Sequence, residues 1–183
     1  MAQLTAEERS AAIAELEDSR GRLLSSVEGV REDQWDARPG GAERWSVAEC
    51  VEHVAAAELP LERLFATGAR EQPTEEQRRE IRQRDDYVRT FLRDRSQTGE
   101  APERIRPKGR FADAREAVRT FEERRDANVA WVRATTEPLR DRFGQHPFAG
   151  IIDGYQWILF LAAHCDRHAA QIEEIRSRLS SSS

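Results

Sequence analysis

The apolar residues of this sequence recur at helical spacing, and this spacing constrains the fold more than any other feature. In the most apolar segment, 153–178, Leu161 and Ile172 stand eleven positions apart and so share one helical face. Similar stripes run through 5–27 and 46–65. Hydrophobic residues make up only 38% of the chain and charged residues 34%. A core can therefore form only if the apolar residues are gathered on such narrow faces.

This pattern predicts an all-α four-helix bundle, folded as a single domain over 1–183 with a core of about 5–179. The polar stretch 71–109 predicts an extra helical excursion between the second and third main helices, with one short helix followed by an irregular strap. A loop is expected over 135–150, which contains two prolines and two glycines. No alternating pattern of useful length predicts a β-strand.

The second main helix has the clearest start in the sequence. Ser46 followed by Glu49 predicts a capping box, and Trp45 precedes the cap at the position of a hydrophobic staple to Cys50. Pro60 lies inside the apolar stripe of this helix, and because proline lacks a backbone N–H it either kinks the helix or ends it. Since the stripe resumes after the proline, we expect one kinked helix there.

The composition excludes several classes of protein. Two cysteines cannot build a disulfide framework, and the first 20 residues lack the apolar region of a signal peptide. The longest apolar run, 157–163, has seven residues, whereas a membrane-spanning helix needs about 20. We therefore expect a cytoplasmic protein with no membrane partner. The net charge is −5 with both signs interleaved, which argues against a nucleic-acid partner.

A pair of histidines lies on the most apolar predicted helix. His164 and His168 are four residues apart, so their Cβ atoms stand about 6 Å apart on one face and both imidazoles can reach one metal ion. They share the stripe of Leu161 and Ile172 and thus occupy core-facing positions. Metal ligation would keep two adjacent buried imidazoles neutral. The alternative is two core histidines hydrogen-bonded to carboxylates or carbonyls, and the spacing alone leaves both open.

His53 is a third candidate ligand. It lies at the edge of the apolar stripe on the second helix, so a bundle that sets this helix against the last one could bring it to the pair. Three neutral imidazoles leave open coordination positions, as in a catalytic zinc or nickel site. Cys50 could supply a thiolate on the same side, but free cysteines are usually small buried hydrophobes. We leave Cys50 out of the ligand set.

Two sequence motifs together resemble the DinB/YfiT-like superfamily of metal-binding four-helix bundles. The segments are WSVAECVEHV at 45–54 and HCDRHAAQI at 164–172. Members of that family carry W-S-x-x-E-x-x-x-H on the second helix and H-x-x-x-H-x-x-Q-[IL] on the fourth. The resemblance covers most of the chain, and it implies that His53, His164 and His168 bind a divalent metal ion.

The resemblance also implies a range of activities. The family includes bacillithiol transferases, mycothiol-dependent maleylpyruvate isomerases and metal-dependent hydrolases of unknown substrate, and its members often form homodimers. We therefore expect an enzyme whose metal, zinc or nickel, activates a low-molecular-weight thiol or a water molecule for reaction with a small-molecule substrate. The alternative is a non-catalytic helical bundle with a structural metal or with metal-free histidines.

Other polar residues have candidate roles near such a site. Glu49 and Gln171 could each reach inward, with helix capping and a bundle hydrogen bond as their ordinary alternatives. Arg20 and Arg125 fall on predicted inner faces and could bind the carboxylate of a substrate, with guanidinium groups that extend to the solvent as the ordinary alternative. His146 is interpreted as a surface or packing residue, with a place at the rim of a pocket as the alternative.

Overall fold

The computed structural model describes residues 3–67, 71–96 and 99–181. The outermost residues of the predicted domain, 1–2 and 182–183, therefore lie outside the described residues, as do 97–98 of the predicted excursion. In chain order the elements are helices α1 (Ala6–Val27), α2 (Val47–Ala57), α3 (Leu61–Thr67), α4 (Glu75–Arg82), α5 (Asp85–Phe91) and α6 (Ala114–Ala134), strands β1 (Phe143–His146) and β2 (Gly150–Asp153), and helix α7 (Gly154–Ser181).

Helices α1, α2, α6 and α7 form the predicted four-helix bundle, so the predicted fold class is confirmed. The most extensive helix contacts join α1 to α7 and α6, and α2 to α6 and α7. The first two main helices therefore lie diagonally opposite each other in the bundle, and α2 packs against α7. In the described part of the chain, no helix combines the length and apolar content that crossing a bilayer requires.

The N-terminal ends of three main helices are capped as their sequences indicate. Thr5, Ser46 and Asp113 cap α1, α2 and α6, and each side chain accepts a hydrogen bond from the backbone N–H three residues further on. In α1 and α2 a glutamate returns the bond and completes the capping box. These bonds satisfy N–H groups that have no partner inside the helix.

The predicted kink at Pro60 is wrong, because the chain there forms two separate helices. Glu58 follows α2 and leaves the helical region with φ −72° and ψ 76°. The next residue, Leu59, precedes Pro60 and is sterically biased away from helical conformation, and Pro60 has no N–H to donate. Asn128 on α6 bridges the break: its side chain accepts a bond from Leu61 N at 2.9 Å and donates one to the Leu59 carbonyl at 3.0 Å.

The predicted loop over 135–150 is also corrected, because it contains most of an antiparallel hairpin. Strands β1 and β2 pair from Phe143 opposite Asp153 to His146 opposite Gly150. Gly150 has φ +70°, which glycine adopts without steric cost at the end of the turn. Each strand has four residues, too few for alternation to stand out in a sequence.

The polar excursion contains α4 and α5 where the sequence predicted one short helix. Both are short, and α5 packs against α7 while α4 packs against β2. The irregular strap that follows (residues 99–112, called the strap below) crosses back over α2 before α6 begins. The excursion thus covers the same pair of helices, α2 and α7, that carries the three candidate histidines.

Candidate metal centre

The three histidines singled out by the sequence lie together between α2 and α7. The ligand atoms of His53, His164 and His168 (the histidine cluster) are all within 4.8 Å of one another. The Nε2 atoms of His53 and His164 are 2.9 Å apart. The His168 ring centroid lies 4.6 Å from that of each of the other two, in edge-to-face geometry. The direct packing of α2 on α7 therefore assembles the cluster.

Hydrogen bonds to the outer ring nitrogens fix two of the three tautomers. His53 Nδ1 lies 2.8 Å from the Ile105 carbonyl oxygen, so this nitrogen carries the proton and donates it. His168 Nδ1 lies 3.0 Å from the Gln171 side-chain oxygen and donates in the same way. Both imidazoles therefore keep their lone pair on Nε2. Metal-ligating histidines typically have such a partner on the second ring nitrogen.

The electrostatics of the cluster favour neutral imidazoles. Burial is the main cause that lowers the pKa of all three. The pKa values of His164 and His168 fall well below the ordinary value, because the neighbouring imidazoles also oppose a positive charge on either ring. For His53 the charge of Arg110 lowers the pKa further, while the Ile105 carbonyl opposes it. Neutral imidazole is the form that binds metal.

The donor set and its spacing fit a divalent metal ion. In a tetrahedral zinc site with Zn–N bonds of about 2.0–2.1 Å, neighbouring ligand nitrogens are about 3.3 Å apart. The observed separations run from 2.9 Å, between His53 and His164, to no more than 4.8 Å, so small side-chain shifts reach that spacing. Three protein nitrogens also leave coordination positions for other ligands.

Two aromatic side chains wall the cluster. Trp45 packs against His53 and His168, with ring centroids 4.8 and 5.9 Å away. Phe160 stacks nearly parallel to His164 at 6.2 Å. The sequence predicted a packing contact for Trp45, as a hydrophobic staple, and no role at the site for Phe160. The position of Phe160, four residues before His164 on the same face of α7, is the signal that could have identified it.

Hydrogen bonds join the strap to α2 at Glu52 and at the cluster residue His53. The Glu52 carboxylate accepts hydrogen bonds of 2.8, 3.0 and 3.1 Å from the backbone N–H groups of 108–110. Gly109 within that turn has φ +73°, a conformation that favours glycine. The next residue, His53, holds the strap through the Ile105 carbonyl. Glu52 was not predicted from the sequence, because its partners are backbone groups more than fifty positions away.

The two residues proposed to reach inward behave differently. The Glu49 carboxylate accepts bonds from Ser46 N at 2.9 Å and from Arg38 at 2.8 Å, so it serves as a helix cap. Gln171 reaches the histidine cluster, where its amide oxygen is the partner of His168 Nδ1.

Arg20 and Arg125, for which binding of a substrate carboxylate was one option, both pair with carboxylates of the bundle itself. Arg125 is fully buried, and two of its nitrogens donate hydrogen bonds to the Glu58 carboxylate at 2.7 and 2.8 Å. Arg20 forms ion pairs with Glu122 and Asp126 at 3.1 and 3.3 Å near the bundle surface. Both guanidinium groups therefore already have carboxylate partners within the protein.

His146 is a packing residue, as one of the two interpretations proposed. Its Nδ1 accepts hydrogen bonds from the backbone N–H groups of Phe148 and Ala149, both at 3.2 Å. The buried ring packs against Trp157 and Phe160, with centroids 4.8 and 3.8 Å away. Because Phe160 also stacks on His164, the hairpin contacts the wall of the histidine cluster.

Both cysteines are buried as free thiols. Burial raises the pKa of Cys50 far above its usual range and raises that of Cys165 to about 12. Within the described residues, neither thiol joins the metal-ligating group formed by the histidines. This agrees with the decision to leave Cys50 out of the ligand set.

A four-helix bundle in which two buried imidazoles and one half-buried imidazole converge from two helices defines a class, the helical bundles built around a histidine metal site. The sequence model of the DinB superfamily matches residues 15–172, and the chain belongs to that superfamily. The two histidine motifs had indicated this membership.

Two proteins from Bacillus subtilis are similar to this chain. The chain is 22% identical over 162 residues to YuaE of strain 168, an uncharacterized protein, and the match covers 88% of this chain and 95% of YuaE. The structure of the present chain is similar to that of YfiT from Bacillus subtilis, which is described as a probable metal-dependent hydrolase with an unusual four-helix bundle topology. That likeness has a TM-score of 0.61 at 21% identity and covers 97% of this chain and 91% of YfiT.

Proposed function

We propose that the protein is a metal-dependent hydrolase in which His53, His164 and His168 hold one divalent ion. The observation that carries this proposal is the convergence of three neutral imidazoles within 4.8 Å, two of them with the outer nitrogen already tied to a protein acceptor. The description of YfiT as a probable metal-dependent hydrolase, on the same fold, supports it. When bound, a divalent ion with three protein ligands lowers the pKa of a water or thiol at a remaining coordination position.

The surrounding residues orient two of the three imidazoles and cover part of the cluster. The Ile105 carbonyl and the Gln171 amide hold the rings of His53 and His168 with their lone pairs on Nε2. Trp45 and Phe160 cover ring faces and exclude solvent, which strengthens electrostatic interactions inside the site.

Transfer of a low-molecular-weight thiol would use the same three histidines and stays a prediction. An assay with bacillithiol or mycothiol and an electrophile separates it from hydrolysis of ester or amide substrates. The cytoplasmic location, the small-molecule substrate and the homodimer predicted from the sequence also remain predictions.

Elemental analysis of untagged protein tests the proposal. We expect about one equivalent of a divalent metal, loss of that metal in His164→Ala, and retention of it in His146→Gln, the matched histidine outside the cluster. Wild-type protein without stoichiometric metal, or full occupancy in His164→Ala, would contradict the ligand assignment. Bound metal that raises the melting temperature without any turnover would favour the alternative of a structural metal.

A further inference from the structure

A cavity of about 240 Å³ lies beside the histidine cluster and has no assigned role. Its walls come from the α2–α3 break, the strap, the hairpin and the first turns of α7. Trp157 on α7 lines it, seven residues before His164 and therefore on the same helical face, about 10 Å away along the axis. On the strap it is lined by Arg104, whose neighbour Ile105 holds His53. The cavity and the cluster thus share the strap and α7.

Most of the cavity lining is apolar. Leu59, Leu64, Trp157 and Pro147 supply apolar surface on three sides. An apolar cavity of about 150 Å³ accommodates a benzene molecule. A cavity of 240 Å³ therefore has room for one ring with a short side chain. Binding pockets typically combine such apolar walls with a few polar groups that orient the ligand.

Arg104 supplies the charge at this cavity. Among the lining residues that the structure describes, it is the charged one, and no carboxylate lines the cavity with it. Its side chain is exposed, and across the described ranges no hydrogen bond or ion pair occupies its guanidinium. Arg104 lines the cavity together with Gln145 and Pro147 of the hairpin segment. An unpaired guanidinium is suited to bidentate recognition of a carboxylate.

We infer that this cavity binds the apolar part of a small carboxylate-bearing substrate, whose carboxylate pairs with Arg104. This inference rests on the proposed function, because it takes the bound compound to be the substrate of the adjacent metal centre. The cavity accounts for the apolar part of the compound, and Arg104 selects acids over their uncharged analogues.

Calorimetric titration of the full chain with 3-phenylpropionate and its uncharged isostere 3-phenylpropionamide tests the inference. We expect the acid to bind about fivefold more tightly, the effect of one partly exposed ion pair. Arg104→Gln should remove that preference. The matched control is Arg106→Gln, because Arg106 is exposed on the same strap but pairs with Glu100 and Glu103 at 3.4 Å. Equal affinities for the two compounds, or an unchanged preference in Arg104→Gln, would overturn the role of Arg104.

A second variant tests the cavity itself. Leu64→Trp fills it from a half-buried wall position and should abolish binding of 3-phenylpropionate while the melting temperature stays near that of the wild type. In NMR spectra the acid should shift the indole signal of Trp157, assigned with Trp157→Phe. Binding that persists in Leu64→Trp, or a Trp157 signal that does not move, would overturn the location.

The same titrations in metal-free protein and in His164→Ala separate this inference from the proposed function. Acid binding that depends on Arg104 in protein that never takes up metal would support the cavity and refute the metal centre. Stoichiometric metal together with equal affinity for acid and amide would refute the cavity inference and leave the metal centre intact.

Discussion

The histidine cluster and the cluster around Arg125 both bury polar side chains in this bundle, and they do so in opposite ways. Arg125 donates to Glu58 through two nitrogens and, through the third, to the Leu16 carbonyl and Ser19 Oγ at 2.8 and 2.7 Å. Asn128 adds a bond to the same Glu58 carboxylate at 2.9 Å. We call Ser19, Glu58, Arg125 and Asn128 the Arg125 cluster.

In the Arg125 cluster a positive and a negative charge neutralise each other, and every nitrogen of the guanidinium has an acceptor. In the histidine cluster the outer nitrogens of His53 and His168 have acceptors, while the Nε2 atoms of His53 and His164 face each other at 2.9 Å. The first arrangement is complete without a ligand and stabilises the fold. In the second, His53 and His168 keep their lone pairs on Nε2, and the approach of His53 Nε2 to His164 Nε2 places these nitrogens where one cation can bind them.

The largest effect should come from breaking the Arg125 cluster. Glu58→Ala leaves a buried guanidinium without its counter-charge and should lower the free energy of unfolding by about 3–5 kcal/mol, measured by urea denaturation. The control Glu122→Ala removes a half-buried partner of Arg20, in an ion pair near the surface, and should cost less than about 1 kcal/mol. Because an apolar pair can replace a buried ion pair, the Glu58→Met, Arg125→Met double variant should be more stable than Glu58→Ala. A loss below 1 kcal/mol in Glu58→Ala would remove the contrast between the two clusters.

The histidine cluster should stabilise the protein only when an ion is present. At a free zinc concentration about 100-fold above its dissociation constant, the wild type should gain about 2.7 kcal/mol, seen as a rise in melting temperature. His164→Ala should lose that gain, and Glu58→Ala, if folded, should keep it. A zinc-dependent rise of equal size in His164→Ala would show that the ion binds elsewhere.

His146 gives a third case, a histidine satisfied by the protein itself. Burial and the charge of Arg104 lower its pKa to about 4, from an ordinary value of 6.5. The unfolded chain takes up the proton first, so the stability that His146 contributes is complete above pH 6.5 and falls as the pH drops towards 4. In metal-free protein, His146→Gln should therefore lose about 2 kcal/mol less than the wild type between pH 7 and pH 5. Urea denaturation at the two pH values measures this, and equal losses would mean that His146 is not held neutral by burial.

The smallest expected effect concerns the hydrogen bond from His168 to Gln171, which orients one of the three candidate ligands. Gln171→Ala removes the acceptor of His168 Nδ1 and should weaken metal affinity about tenfold, or about 1.4 kcal/mol, without changing the stability of the metal-free protein. Glu174→Gln, three residues further along α7 in an exposed ion pair with Arg95, is the control and should bind metal normally. Unchanged affinity in Gln171→Ala would mean that this bond does not orient the ligand. Competition with a chelating dye measures both variants.

The features predicted correctly from the sequence are those that local spacing determines. A capping side chain and the N–H from which it accepts a hydrogen bond are three residues apart, as with Ser46 and Glu49. The face shared by His164 and His168 follows from their separation of four residues. His53 could be added because helices α2 and α7 each expose one apolar stripe. For such features the helix period alone determines which side chains meet.

The errors concern contacts that depend on the assembled bundle. Arg125 looked available because its partner Glu58 lies 67 positions away, and no local pattern links them. The break at Pro60 is stabilised by Asn128 on another helix, so the stripe around the proline could not reveal it. Glu52 was missed for the same reason, since the strap that it holds is placed by tertiary packing.

The sequence distance between the metal-site helices has a consequence for synthesis of the chain. His53 and His164 are 111 positions apart, so His53 leaves the ribosome well before the other two imidazoles exist. At a translation rate of roughly 5–20 residues per second the delay is about 5 to 20 s. A divalent ion held by the histidine cluster therefore cannot template the early helices. It can only lock a bundle whose last helix has been made, which makes metal occupancy a marker of the finished chain.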